Sequence, residues 1–106
     1  MLKTYDFVLW LLPKVESFPR SYRFTLGERL TANGLDLLTT LVEAAYAREK
    51  DALLRKASGI VNTTRYLLRL SKDLKILSLD SYGFSAGLLD EIGRMVGGWQ
   101  KATVRA

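Results

Sequence analysis

Residues 26–45, LGERLTANGLDLLTTLVEAA, decide the fold of this chain. Apolar residues recur there at spacings of three and four, which is the period of one face of an α-helix. We therefore predict one long helix from about Ser21 to Arg48, with boundaries uncertain by about two to four residues. Its apolar stripe consists of Leu26, Leu30, Leu37, Leu38, Leu41 and Ala45.

Two glycines lie on or beside this stripe. Gly27 and Gly34 are two turns apart. A glycine in a helix interior costs about 1 kcal/mol relative to alanine. Close approach of a neighbouring helix would offset that cost, so we predict a tight helix–helix contact at both positions.

A first helix is predicted from about Thr4 to Ser17, with Thr4 and Asp6 stabilising its start. Pro13 removes one backbone hydrogen bond and should bend it. Ser17-Phe18-Pro19-Arg20 is the predicted break, because proline is favoured where a helix begins. The first helix is apolar on nearly every side, which indicates that it is covered on more than one side and favours oligomerisation. Its apolar residues are Tyr5, Phe7, Val8, Leu9, Trp10, Leu12, Val15 and Phe18.

A third helix is predicted from the turn at Glu49-Lys50-Asp51 to about Ser78. Its apolar face comprises Leu53, Ala57, Ile60, Thr64, Leu67, Ser71 and Leu74. Residues 79–83 should form a loop, and Ser85 should cap a fourth helix. The stripe of that helix comprises Leu88, Leu89, Ile92, Met95, Val96 and Trp99.

The predicted fold class is all-α. Two long central helices flanked by two shorter ones, with short connections, indicate an antiparallel up-down four-helix bundle. The 106 residues suit a single domain spanning residues 1–106.

The composition argues against most familiar enzyme designs. The chain has no histidine and no cysteine, which removes the usual general base and the commonest zinc ligands. Carboxylate or lysine catalysis remains open. The neighbouring carboxylates, such as Asp90 and Glu91, do not repeat in a metal-binding pattern, and Gly93, Gly97 and Gly98 lack the pattern of a phosphate loop. We expect no catalytic residue, no metal and no cofactor.

The charge indicates a polyanionic partner or a soluble surface. The formal net charge is +5 and the pI about 9.7, which attracts nucleic acid or anionic membranes. The apolar run Phe7–Leu12 is far too short for a membrane span, which needs about 20 apolar residues. It also lacks the features of a signal peptide. We expect a cytoplasmic protein without a membrane partner.

Two groups of cations are candidates for nucleic-acid binding. Arg65, Arg69, Lys72 and Lys75 recur at helical spacing on the polar side of the third helix, with Asp73 as the one obvious internal partner. Arg20 and Arg23, together with Arg29, form a second group at the start of the second helix, where the helix dipole disfavours cations. The alternatives are a solvated outer face for the first group and internal salt bridges for the second.

Three segments carry a family resemblance. They are Phe18-Pro19-Arg20 with the following residues 23–30, Arg65-Tyr66-Leu67-Leu68-Arg69-Leu70, and residues 91–99, EIGRMVGGW. The first resembles the second-helix opening of the accessory variability determinant proteins of diversity-generating retroelements. It is also similar to related bundle proteins encoded within ribosomal RNA intervening sequences. The other two segments resemble the accessory group.

This resemblance implies a fold and a function. The accessory proteins form a pentameric barrel of bundles with a basic surface, and they associate with a reverse transcriptase and its structured RNA template. The resemblance therefore implies a homo-oligomeric, non-catalytic protein that supports mutagenic reverse transcription. Arg20, Arg23, Arg65, Arg69, Lys72 and Lys75 would then contact RNA and DNA backbones. The alternative is a scaffolding bundle of the intervening-sequence type with no specific nucleic-acid role.

Overall fold

The computed structural model describes the backbone of residues 1–105 and the side chains of residues 1–103. Within these bounds the chain forms five helices and no strand, so the predicted all-α class is confirmed. The helices are α1 (Leu2–Glu16), α2 (Arg20–Arg23), α3 (Leu26–Tyr46), α4 (Asp51–Asp73) and α5 (Leu79–Arg105). No helix in this part of the chain has both the length and the apolar character needed to cross a bilayer.

The four long helices close into a ring. α1 packs on α3 and α5, and α4 packs on the same two helices, so α1 and α4 lie diagonally opposite. The connection from α3 to α4 is short, and Asn33 Nδ2 donates to Thr64 Oγ1 at 3.3 Å across this pair. Short connections make sequential helices antiparallel neighbours. The arrangement is therefore an up-down bundle, with α2 as a single turn between α1 and α3.

The seam between α1 and α5 joins the first and the last of the five helices. Lys3 Nζ lies 3.0 Å from Glu91 Oε2, and Trp10 packs on Phe84 with 5.6 Å between the ring centroids. Trp10 also stacks on Phe7, with 6.3 Å between centroids. Residue numbers rise along α1 while they fall along α5, so these helices are antiparallel.

Lys50 lies in the connection between α3 and α4 and stabilises the end of α3. Its ammonium donates to the carbonyls of Ala44 and Ala47, both at 2.7 Å, and so satisfies the last carbonyls of α3. The same ammonium lies 5.8 Å from the centroid of the Trp99 ring on α5. The predicted turn before Asp51 is present, and it is fixed by these contacts.

The core follows the predicted stripes with a small rotation. Leu26, Leu30, Leu37 and Leu41 are buried, but Ala44 takes the buried position expected for Ala45. On α4, Ala57, Thr64 and Ser71 are buried as expected. Leu54, Val61 and Leu68 take the buried positions expected for Leu53, Ile60 and Leu67, which are only half-buried, and Leu74 is exposed. On α5, Leu89, Ile92 and Val96 are buried as expected, and Leu88, Met95 and Trp99 are half-buried. The fully buried larger side chains are Phe7, Phe18, Leu11, Leu30, Leu37, Leu41, Leu54, Leu68, Leu89, Ile92 and Val96.

Gly27 and Gly34 make the predicted close contacts with α1. A Cβ atom built on Gly27 would lie 2.9 Å from Val15 Cγ1, and one on Gly34 would lie 2.7 Å from Leu11 Cδ2. Both distances are shorter than ordinary van der Waals contact. The absence of a side chain at these positions therefore lets α1 and α3 approach closely.

The predicted cap of α1 is wrong, although the helix starts within two residues of the predicted position. The helix begins at Leu2, and Thr4 is completely buried inside it, so Thr4 cannot act as a cap. The Thr4 hydroxyl has no hydrogen-bond partner among the described residues. Burial of Thr4 against the core replaces the capping role that its residue type favours. Asp6 lies beyond the first turn.

The predicted second helix is divided into α2 and α3. Pro19 precedes α2, and its carbonyl accepts hydrogen bonds from the backbone of Tyr22 and Arg23. The chain then turns at Phe24 and Thr25, where Thr25 has φ −117° and ψ −89°. Phe18 before α2 and Leu26 after the turn are both buried in the core. The helix therefore starts where predicted but does not continue unbroken.

The predicted loop between the third and fourth helices is displaced. α4 ends at Asp73, Lys75 adopts a left-handed conformation with φ 64°, and Leu77 is buried. Ser78 Oγ accepts the backbone N–H of Ser81 at 3.1 Å, so Ser78 caps α5. Ser85 is a buried residue within α5, and its hydroxyl donates to the Tyr82 carbonyl.

The prediction that both flanking helices are shorter than the central ones is wrong for α5. The earlier start gives α5 27 residues, so it is longer than α3 with 21 and α4 with 23.

Candidate nucleic-acid interface

The outer side of α4 carries a groove with two arginines and two tyrosines. Arg65 and Arg69 project from α4 beside Asn62 and Tyr66, and Tyr82 of α5 forms the opposite wall. The groove encloses about 470 Å³. The four α4 residues are spaced by three, one and three, which places them on one helical face over two turns.

Arg65 is held against α5. It forms an ion pair with Asp90, and its Nη2 donates to the Leu89 carbonyl at 3.3 Å. The hydrogen bond from Arg65 lowers the pKa of the Asp90 carboxyl, and it outweighs the opposing effect of desolvation. The positive charges of Arg65 and Arg94 lower the pKa further. Asp90 is therefore ionised at neutral pH and neutralises part of the charge of Arg65.

Gly93 makes room for this arginine. A Cβ atom built on Gly93 would lie 3.1 Å from Arg65 Nη2. The guanidinium therefore lies close to the backbone of α5.

Arg69 is the least constrained cation of the groove. Its side chain is 62% exposed, and its Nε lies 4.0 Å from Asp73 Oδ2, which is too long for a hydrogen bond. The planar guanidinium therefore keeps its donors available for a phosphate, which it can bind with two parallel hydrogen bonds.

Lys72 and Lys75 extend the positive surface beyond the groove. Lys72 Nζ lies 4.8 Å from the centroid of the Tyr82 ring and 3.4 Å from Asp73 Oδ1. Lys75 is exposed, but it follows the end of α4 in the left-handed turn instead of continuing the helical stripe. The predicted stripe of four therefore consists of three helical cations and one turn cation.

Arg20 and Arg23 lie on α2, apart from the α4 group. Arg23 is half-buried, its Nη2 lies 3.5 Å from the Phe18 carbonyl oxygen, and its Nε has no partner within the described part of the chain. Arg20 is exposed. No hydrogen bond or ion pair among residues 1–103 joins either arginine to Arg65, Arg69, Lys72 or Lys75. Since α2 has one turn, the expected mismatch with a long helix dipole does not arise.

Sequence reasoning missed three residues of the groove, Asn62, Tyr66 and Tyr82. The spacing of Asn62 and Tyr66 relative to the two arginines was a usable signal, because it places all four on one face. No spacing pattern indicates Tyr82, because it lies on α5 and the other four lining residues lie on α4. Among the described residues no group of three or more acidic side chains could hold a metal ion.

Comparison with protein families assigns the chain. The model of a family described as bAvd-like matches residues 1–103. This family consists of helical accessory proteins of the retroelement type, which are a non-catalytic class. The chain belongs to the bAvd-like family, and the resemblance to accessory variability determinant proteins is confirmed. Neither the curated proteins nor the solved structures gave a match to the chain.

Proposed function

We propose that this chain is a non-catalytic accessory protein of a diversity-generating retroelement. It binds the reverse transcriptase together with structured RNA and DNA, and it supports mutagenic copying of a template. Membership of the bAvd-like family supports the accessory role. The basic face of α4 is the observation that supports nucleic-acid binding, because it presents several cations at helical spacing beside an open groove.

Binding at this face relies on phosphate contacts. Arg69 and Lys75, which are exposed, meet the backbone directly. Lys72 is half-buried beside Tyr82 and adds its charge, and Arg65 joins them when a phosphate displaces Asp90. Arg20 provides a second contact on α2, and Arg23 contributes less because it is half-buried. Phosphate contacts position a protein without reading sequence, so binding is weakly sequence-specific.

The chain also assembles with copies of itself, as a pentamer, through an apolar face of α1 and α3. Leu2, Tyr5 and Leu9 of α1 are 79%, 55% and 62% exposed. Val42 and Tyr46 of α3 are also exposed. A groove of about 330 Å³ between these helices is lined almost entirely by apolar residues, namely Tyr5, Val8, Leu9, Leu12, Pro13 and Leu38. Exposed apolar surface of this kind marks an interaction site.

A salt titration tests the nucleic-acid part. If about four phosphates of duplex DNA are neutralised, the slope of log affinity against log salt is near −3 to −4. The variant Arg69→Gln should reduce its magnitude by about one unit. Arg55→Gln is the matched control, because Arg55 lies on α4 outside the groove and pairs with Asp51 at 2.7 Å.

The result contradicts the proposal if the slope is near zero. Equal effects of Arg69→Gln and Arg55→Gln would also contradict it, because net charge alone would then explain binding.

Co-expression tests the reverse transcriptase partner. The chain should co-purify with a tagged reverse transcriptase of the same retroelement after nuclease treatment. If the two proteins separate only when nucleic acid is digested, the contact between them is indirect and this part of the proposal is wrong.

A further inference from the structure

The α4–α5 groove has a chemistry that phosphate binding alone does not use. Tyr66 is 71% exposed, although it sits in the middle of a long helix between Arg65 and Arg69. Its ring faces the open groove instead of the core. The hydroxyl of Tyr66 and the amide of Asn62 make no hydrogen bond among the described residues. The groove therefore offers an aromatic face and free polar groups next to cations.

Tyr82 forms a second aromatic wall. The ammonium of Lys72 lies 4.8 Å from its ring centroid, which is a cation–π distance. This contact holds the ring in place and brings another positive charge to the rim. Tyr82 lines the groove from α5, and Tyr66 lines it from α4. A flat ligand entering here would meet aromatic surface from both helices.

The lining of the groove favours a ligand that is both anionic and aromatic. Its residues are Asn62, Arg65, Tyr66, Arg69 and Tyr82, with no aliphatic side chain. The two guanidinium groups attract an anion, and the two tyrosine rings offer surfaces for stacking. Tyrosine and arginine are common at protein interfaces as well, so competition by an anionic peptide is part of the test.

We propose that the α4–α5 groove binds an unpaired nucleotide, whose base stacks on Tyr66 and whose flanking phosphate is held by Arg69. This inference rests on the proposed nucleic-acid function and narrows its ligand to single-stranded segments. Aromatic side chains stack on bases whose faces are exposed, and in a duplex the neighbouring bases cover those faces. The volume of about 470 Å³ lies within the range of about 300–1,000 Å³ for small-ligand sites.

Arg69 and Tyr66 have separable effects on this binding. The phosphate contact releases counterions and so depends on salt, with a slope of about −0.7 per phosphate on single strands. Stacking releases none, so its contribution persists at high salt. Loss of the ring therefore lowers affinity without changing the slope, and loss of the guanidinium changes the slope.

The test uses fluorescence anisotropy with labelled oligouridine and with a blunt duplex of the same length. Tyr66→Leu should weaken oligouridine binding by about 5- to 150-fold, the range found for loss of one stacked base. Duplex affinity and both salt slopes should stay unchanged. Tyr66→Phe should bind as the wild type does, because it keeps the ring. Tyr46→Leu is the matched control, since Tyr46 is 88% exposed at the end of α3, outside the groove.

Any of four outcomes would overturn the inference. In the first, Tyr66→Leu binds oligouridine with the affinity of the wild type, while Arg69→Gln still reduces the salt slope. This result would contradict the stacking role of Tyr66 and leave the proposed nucleic-acid function intact. Another is an equal loss of single-strand and duplex affinity, or equal competition by oligoglutamate of matched charge. If the wild type binds neither ligand, the nucleic-acid function itself is wrong as well.

Discussion

The ion pair between Arg65 and Asp90 limits the charge that the α4–α5 groove presents. Arg65 lowers the pKa of Asp90, so the carboxylate stays ionised at the pH of a binding experiment. A phosphate must therefore compete with Asp90 for the same guanidinium. This competition sets Arg65 apart from Arg69, which has no comparable partner.

The variant Asp90→Asn should bind RNA a few-fold more tightly than the wild type, because Arg65 is released and exposed ion pairs are weak. Its salt slope should also become steeper. Asp36→Asn provides the control, since it makes the same change of charge on α3, away from the groove. Affinity is measured by anisotropy. Identical gains in the two variants would show that Asp90 acts only through net charge.

The partner of Arg65 could not be predicted from sequence. Arg65 and Arg69 stand out because helical spacing puts them on one face, and Asp73 is the nearest carboxylate along the chain. Asp90 is 25 residues away from Arg65. The pattern of one sequence shows which face of each helix is apolar or charged, but not which residues of two neighbouring helices lie side by side. Packing sets this register, and the register decides which cation has an ion-pair partner.

At the scale of helices, the contact between α1 and α3 depends on glycine. Gly27 faces Val15, whose branched side chain has little freedom to move, and the Tyr22 carbonyl oxygen lies 3.4 Å from where a Cβ atom would be. Gly59 of α4, in contrast, has nothing within 4 Å of a built Cβ atom. Replacing each glycine with alanine should therefore change the free energy of unfolding in opposite directions.

Gly27→Ala should lower the free energy of unfolding by about 1–2 kcal/mol, because overpacking of a close contact costs about 1–3 kcal/mol. Gly59→Ala should raise it by about 0.5–1 kcal/mol, because alanine stabilises an open helical position. Urea unfolding followed by circular dichroism measures both. A shift of both variants in the same direction would refute the role assigned to the α1–α3 contact.

The sequence predicts some of the helix boundaries but not all of them. The sequence predicts the break at Pro19 and the turn before Asp51, because proline and charged turn residues act locally. It does not predict the end of α4 at Asp73, since Lys75 adopts a left-handed conformation that usually indicates glycine. Burial of Leu77 favours this turn. Packing therefore outweighs local preference at that point.

At the scale of the whole molecule, the apolar and basic surfaces lie on opposite sides of the bundle. The apolar groove lies between α1 and α3, and the basic groove lies between α4 and α5. In the ring of four helices these two grooves face away from each other. Assembly through the α1–α3 face would therefore leave the basic groove of every copy open.

If the chain assembles as proposed, Leu9→Glu should yield smaller species than the wild type without unfolding the chain. Leu9 is 62% exposed, so the charge disturbs the apolar face and leaves the core intact. Multi-angle light scattering measures the mass. Leu79→Glu is the control, because Leu79 is 72% exposed at the start of α5, outside that face. An unchanged mass for Leu9→Glu would exclude this face as the interface.

Trp10 and Trp99 are the two tryptophans of the chain, and their separation makes them optical reporters. Trp10 lies in the α1–α5 seam, and Trp99 lies beside Lys50 at the α3–α4 connection. Replacing either one with phenylalanine leaves a single tryptophan, which can be excited selectively at wavelengths where the tyrosines do not absorb. The emission wavelength of Trp10 alone then reports whether α1 is docked, so detachment of this helix can be followed in real time without a label.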